Sequence, residues 1–487
     1  MNSIRYSLLI GISIPLCLQA QDTTNVNQQR TEQHLHSHAL IMEDEPTASF
    51  SLEDRMRAKK VNGVSIAVID HGKIAWAKGY GVGDADIPNV AVDTTTLFQC
   101  ASIGKAITSL AALHLVKQGY ITLDEPVNNK LMHWKIPEND KTNEKPVTLR
   151  TLLSHTAGFA DDYGFEGYVP HSVLPNLQEM LNSESPGNTS KKLTVKTVPG
   201  AIQRYSGGGY LVIQQLIEDI TGTSFARYVD SIVFQPLSMY RTTYSYYPDE
   251  EAGLSIARGH DEKGKADKKK KYHVYPEMAA AGPWTTATDL ARLALEIQKE
   301  YNGFSTAVAD SGLVREMISP QINTTGLGIH LKGSGNVSAF WHSGNNAGYT
   351  GLFFGTTSGQ GAIVLTNSDD GVSLALEIIN SIADVYNWPS MQTQYLKKTS
   401  DKQYEVYIGQ YKKGNTNILI GKDNNGLFIS SSDKKKFTLF QAKDGSFLIK
   451  EKPEHLKLIF DAPSENSATL HVFQDCGKFA GELQKVQ

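Results

Sequence analysis

Apolar positions along the chain change period several times, and each change predicts an element. Residues 64–70 and 73–80 are two β-rich runs around a tight turn at His71-Gly72, which predicts a β-hairpin. Ala106, Ile107, Leu110, Leu113 and Val116 then recur at helical spacing, and Gly119 stops the run. Thr148 caps a short helix that ends near Ser154, and Gly158 turns the chain. Helices follow at 211–221, ended by Gly222, and at 223–233, ended near Pro236. Another opens at Thr288 or Asp289. Residues 340–354 read as two short strands around a glycine-rich turn, 361–367 as a further strand and 373–386 as a closing helix. Between these, 160–198 is polar and punctuated by Pro and Gly, as suits loops over a cleft, and 255–276 reads as a hairpin with a lysine-rich tip.

From about residue 404 the pattern changes. Short runs such as Ile418-Leu419-Ile420, Phe437-Thr438-Leu439-Phe440 and Leu456-Lys457-Leu458-Ile459-Phe460 alternate with the turns Asn424-Asn425-Gly426 and Lys443-Asp444-Gly445. This predicts an all-β module of about 85 residues. The organisation expected is a signal peptide over 1–20, a polar leader over 21–46, a main domain over 47–395 and the β-module over 400–487. The leader is rich in Gln, Asn, Thr and His, and is expected to be disordered.

Composition narrows the class. The chain has 487 residues, 40% hydrophobic and 20% charged, as in an ordinary soluble globular protein. A net charge of −4 argues against a nucleic-acid binder. The Lys268–Lys271 run is read as a solvated loop. Arg5, an apolar run over 8–18 and then Gln19-Ala20-Gln21 fit an export signal cleaved after Ala20, so a periplasmic or secreted location is expected. The apolar run is too short to span a bilayer. Cys17 raises a lipid anchor, but Leu16 before it is larger than the small residue such sites carry. Cleavage leaves Cys100 and Cys476, far apart, so the chain is no disulfide scaffold. His34, His36 and His38 have the residue type for a metal, yet a free tail is the simpler account, and no metal or cofactor is expected.

Candidate chemistry centres on Phe98-Gln99-Cys100-Ala101-Ser102-Ile103-Gly104-Lys105. Positions i and i+3 share a helix face, so Ser102 and Lys105 stand side by side. A serine hydroxyl needs a base to become a nucleophile, and a desolvated lysine can supply one. The pair alone fits equally a helix start with a surface lysine, and Ser431/Lys434 and Ser432/Lys435 repeat the spacing inside a charged run. Cys100 offers a thiol, but a buried small hydrophobe is the simpler role. Tyr205 sits in Tyr205-Ser206-Gly207-Gly208-Gly209, read as a strained glycine-rich turn that admits a ligand to the backbone; taken alone, it fits a packing tyrosine with its hydroxyl satisfied better. His155, with no carboxylate at fixed spacing, fits a hydrogen-bonded structural histidine better than a catalytic one.

Taken together and in order, Ser102-x-x-Lys105, Tyr205-Ser206-Gly207 and His342-Ser343-Gly344 resemble the motifs of serine hydrolases related to class C β-lactamases and D-alanyl-D-alanine carboxypeptidases. The flanks match too: Leu152-Leu153-Ser154-His155-Thr156-Ala157-Gly158, Pro199-Gly200 and Ala280-Ala281-Gly282-Pro283-Trp284-Thr285-Thr286. The resemblance covers roughly residues 50–390 and implies an α/β (α+β) fold, an antiparallel sheet flanked by helices with a helical subdomain. The tail resembles the small lipocalin-like β-domain often appended to such enzymes.

By position the resemblance implies that Ser102 is acylated and that Lys105 and Tyr205 share the base and acid roles. His342 takes the place of the third-motif lysine, to orient a substrate carboxylate or tune Tyr205. Gly207, Ser343, Gly344 and Asn345 border the substrate, with the backbone N–H groups of Ser102 and Asn345 as oxyanion hole. Two departures stand out. Gly207 replaces the usual asparagine, and His342 replaces a permanently charged lysine with a group near half-charged around neutral pH. Both favour an esterase or D-amino-acid peptidase over an efficient β-lactamase. The other reading open at this stage is a catalytically weak or inactive binder of peptidoglycan-like ligands. A small-molecule or peptide substrate is expected, and the oligomeric state stays open.

Overall fold

The predicted hairpin forms two strands, β1 (Gly63–Asp70) and β2 (Lys73–Gly81), of a six-stranded sheet. His71 and Gly72 take φ of +50° and +69°, the turn type whose twist matches the flanking strands. The other strands are β3 (His330–Lys332), β4 (Ala339–Asn346), β5 (Tyr349–Thr356) and β6 (Gly361–Thr366). All neighbours are antiparallel, in the order β2-β1-β6-β5-β4-β3. The computed structural model describes residues 17–486 except 37–39, 45–47, 88, 161–164, 185–191, 252, 268–269, 333–338, 390, 392, 415, 431–434, 450–455, 462, 464–466 and 475–477. Most of the expected signal peptide, His38, half of the Lys268–Lys271 run, Cys476, the Ser431/Lys434 pair and Ser432 therefore lie outside the described residues.

Both faces of the middle of this sheet are covered, which is why β1, β5 and β6 are buried almost throughout. Ala67, Ile69, Ile363 and Leu365 point to one core and Ile66, Val68, Ala362 and Val364 to the other. The helices that matter are α1 (Cys17–Gln33), α2 (Gly104–Lys117), α3 (Gly207–Thr221), α4 (Met278–Ala281), α5 (Ala287–Tyr301) and α6 (Val372–Val385). The apolar side of α5 joins the first core and that of α6 the second. α2 is buried on almost every side, as a helix at the centre of a domain must be. Its small polar residues are satisfied: Thr108 Oγ1 donates to Ala279 O at 2.8 Å, and Ser109 Oγ lies 3.3 Å from Tyr210 OH.

Three expectations differ from the structure. The glycine run at 207–209 is the first turn of α3, which starts at Gly207 rather than 211. Ser206 Oγ accepts from Gly209 N–H at 2.8 Å, and this cap extends the helix through residues of poor propensity. Within 255–276 the hairpin reduces, among the described residues, to a bridge between His260 and Ala266, because the Asp261 carboxylate takes the N–H groups of Lys263 and Lys265 and folds the chain tightly. The leader carries structure: α1 covers its first half, and Leu40–Met42 runs parallel to Gln394–Lys397. Its polar composition hides a few anchors. Leu35 is fully buried and exchanges both backbone hydrogen bonds with Phe50, and Glu32 accepts from Lys78 Nζ and Tyr80 OH.

The C-terminal region is all-β and closes on itself. Gly409–Lys413, Thr416–Asp423, Gly426–Ser430, Lys436–Thr438 with Phe440–Ala442, Phe447–Leu448, Leu456–Asp461, Thr469–Gln474 and Lys478–Val486 pair in succession, and the last returns to the first at Tyr411↔Lys485. Closure removes the exposed edges of an open sheet. Tyr411, Leu427, Phe447, Leu458 and Leu470 are fully buried, so the ring encloses a packed core. Among the described residues no helix is long and apolar enough to cross a membrane.

Candidate active site

Ser102 lies in a tight turn, Ala101–Ile103, between the short strand Phe98–Gln99 and α2. Ala101 adopts φ +49°, a left-handed conformation that costs an alanine about 1–2 kcal/mol, and the surrounding packing holds it there. One turn on, Lys105 is 1% exposed. Its Nζ donates to Ser102 Oγ at 3.1 Å and to Ala280 O at 2.7 Å. The rings of Tyr205 and Tyr210 stand 5.0 and 5.2 Å from the same nitrogen, so its remaining side faces aromatic surface. Ser102 itself is half-buried, open to the cleft.

Tyr205 is 43% exposed and is held by His155. The two rings lie 4.3 Å apart at 32°. The His155 carbonyl accepts from Arg204 N–H at 2.9 Å, and Ser206 N–H donates to His155 Nδ1 at 3.1 Å. His155 thus grips the backbone on both sides of Tyr205. Accepting at Nδ1 leaves the proton of the neutral ring on Nε2. His155 also takes a left-handed φ of +57°, a second strained non-glycine residue at the site.

The third component is β4. A Cβ on Gly344 would overlap the Cys100 carbonyl oxygen, so only glycine lets the strand lie this close to the Ser102 turn. Two residues on, Asn346 Nδ2 donates to Gln99 Oε1 at 2.8 Å and to Ala281 O at 3.1 Å, tying β4 to the short strand before the turn and to α4. Thr356 N–H donates to Gln360 O and so faces β6; alternation then turns the backbone groups of Ser343 and Asn345 away from β5. On that outer side β3 pairs only with Ala339, Phe340 and Trp341. The strand edge at Ser343 and Asn345 is therefore open toward the cleft, where a substrate can lie along it.

His342 departs from the sequence expectation in its charge. It is 2% exposed, and its Nδ1 donates to Ser343 O at 2.6 Å. Burial above all, then the neighbouring His330 and Lys105, hold its ring well below the usual imidazole range. It is neutral at physiological pH rather than half-charged. The same causes, burial first and then Lys105, His342 and His330, hold His155 well below that range. Burial pushes the Cys100 thiol up to about 12, which keeps it protonated and removes the thiol alternative.

Ser102, Lys105, Tyr205 and His342 thus meet at one junction of the sheet and the helical region, with Gly207 buried behind Tyr205. The sequence did not single out Tyr210, Asn346 or His330. Tyr210 reads as an ordinary helix position, Asn346 stood in the quoted glycine-rich stretch without a role, and His330 had no signal beyond a histidine in an apolar run. His330 stands 5.2 Å, ring to ring, from His342.

This architecture recurs in known structures. A penicillin-binding protein homologue from Pyrococcus abyssi, described as octameric, superposes with a TM-score of 0.57 at 19% identity, over 89% of this chain and 98% of that one. The D-amino acid amidase from Ochrobactrum anthropi SV3 gives 0.55 at 21% identity, over 75% and 98%. At such identities the likeness is one of fold. The family follows from sequence: the Beta-lactamase family model matches residues 51–386, and the chain belongs to that family. Among curated relatives, Protein flp of Staphylococcus aureus (strain MW2) is 29% identical over 193 residues, 40% of this chain and 37% of that protein. The teichoic acid D-alanine hydrolase of Staphylococcus aureus is 24% identical over 260 residues, 53% and 59%. This chain spans less than two thirds of either relative's length.

Proposed function

We propose that the protein is an exported serine hydrolase that cleaves an ester or amide bond of a D-amino-acid derivative through an acyl-enzyme on Ser102. The observation that carries this reading is the Lys105 Nζ, buried and shared between Ser102 Oγ and Ala280 O. The Ser102 proton passes to the Lys105–Tyr205 pair as Oγ attacks the carbonyl carbon. The tetrahedral oxyanion is held by the N–H groups of Ser102 and Asn345. Tyr205, open to solvent on one side, passes the proton on to the leaving group. Water then attacks the acyl carbon and gives a proton to the same pair, which returns it to Ser102 Oγ as the acyl bond breaks. The apolar segment over 8–18 supports export.

Substrate class rests on two supports. Relatives of this fold and sequence are named for D-amino acid amide and D-alanine hydrolysis. The position that carries a lysine in the resembling motif holds a neutral ring here, which weakens any grip on a carboxylate leaving group. The test is a panel of D-alanyl esters, D-amino acid amides and β-lactams with the wild type and Ser102→Ala. Turnover of D-alanyl esters or amides that vanishes in Ser102→Ala supports the reading; turnover that survives the substitution contradicts it.

A further inference from the structure

The open edge of β4 has an end. β3 pairs with β4 as far as His330 opposite Trp341, and the open stretch begins immediately beyond. A substrate laid along Ser343 and Asn345 therefore abuts His330. This ring is half-buried, packed 4.7 Å from the Trp341 ring and 5.2 Å from the His342 ring. His342 is sealed, with its Nδ1–H committed to Ser343 O. Of the two imidazoles at this end of the open edge, His330 is the less enclosed.

We propose that His330 meets the leaving group and selects one that bears hydroxyls, such as a polyol, over one that ends in a carboxylate. The titratable groups facing it are Lys105 on α2, His342 on β4 and His155 behind Tyr205. Burial and the Lys105 charge hold its ring below the ordinary range, so it offers one N–H and one bare nitrogen at neutral pH. Such a ring pairs with a hydroxyl in both directions. It gives a carboxylate one neutral donor and no countercharge. The Lys105 amine already bonds Ser102 and Ala280. This inference rests on the acyl-enzyme reading and adds the residue that reads the alcohol.

The test compares the D-alanyl ester of glycerol with D-alanyl-D-lactate, an ester whose leaving group carries a carboxylate. Both are measured with wild type, His330→Ala, His330→Gln and His330→Lys, alongside labelling of Ser102 by a fluorophosphonate. The wild type should favour the glycerol ester by about tenfold or more, the scale set by one or two hydrogen bonds. His330→Ala should lose that preference through a higher KM at unchanged kcat. His330→Gln, which keeps a donor and an acceptor, should restore it, and His330→Lys should turn the preference toward the lactate ester. An unchanged ratio in His330→Ala with normal labelling overturns the inference alone, as does a wild-type preference for the lactate ester. Should His330→Ala fail to label, His330→Lys and His330→Gln carry the comparison. A wild type that neither labels nor cleaves either ester overturns both this and the acyl-enzyme reading.

Discussion

Gly344 lies against the Cys100 carbonyl so closely that a Cβ would overlap the oxygen. This one contact joins the strand that offers Asn345 to the turn that offers Ser102. Gly344→Ala must push the two apart. A displacement near 1 Å at reacting groups costs about 10²-fold in rate, so kcat/KM should fall by that order, and the overpacking should lower Tm as well. An alanine variant of normal activity would show that the strand and the turn need not be in register.

His155 grips the chain on both sides of Tyr205 through Arg204 N–H and Ser206 N–H. Removing the ring leaves Ser206 N–H buried without its acceptor, which costs about 1–3 kcal/mol. His155→Ala should lower Tm and kcat together while Ser102 still labels, because His155 positions Tyr205 and touches no reacting atom in this scheme. Loss of labelling at unchanged Tm would instead give His155 a direct chemical role.

Lys105→Met and Tyr205→Phe each remove one member of the proton-transfer pair. Each should cost about 10²-fold or more in kcat, the usual contribution of a positioned acid or base. Lys105→Met also leaves the Ala280 carbonyl without its donor, so Tm should fall in that variant and not in Tyr205→Phe. Steady-state rates and melting curves on both variants check this, and equal Tm losses would contradict it.

The pH dependence follows from the sealed state of His342. Its folded-state value lies below the ordinary 6.5, so as pH falls the unfolded chain takes up the proton first. The stability it confers is complete above about 6.5 and is lost as pH drops through the folded value. Between about pH 8 and pH 5 the wild type should lose more stability than His342→Gln, by about 1.4 kcal/mol for each unit of the shift spanned. Activity should accordingly be flat above about pH 7 and fall on the acid side. Urea unfolding of both proteins at the two pH values decides it; parallel losses would mean the ring titrates normally.

Much of the site was legible because it is local. Ser102 and Lys105 share a helical face by spacing alone, the hairpin at His71-Gly72 follows from period and turn chemistry, and the apolar run of α2 announces a buried helix. What was not legible depends on contacts distant in sequence. The charge of His342 is set by burial and by Lys105, which lies on another element. α1 is held by Glu32 meeting Lys78 and Tyr80 and by the pairing of Leu35 with Phe50, which composition averages away. The left-handed Ala101 carries no glycine to announce it. His330 stands at the start of the open edge only because β3 stops pairing at Trp341.

The most direct measurement of the central claim is intact-mass detection of a covalent serine probe on wild type, Ser102→Ala and Cys100→Ala. One adduct per chain is expected on wild type and on Cys100→Ala, with the label mapped to the peptide containing Ser102, and none on Ser102→Ala. An adduct that persists in Ser102→Ala, or that disappears in Cys100→Ala while the fold survives, would contradict the assignment of Ser102 as the nucleophile.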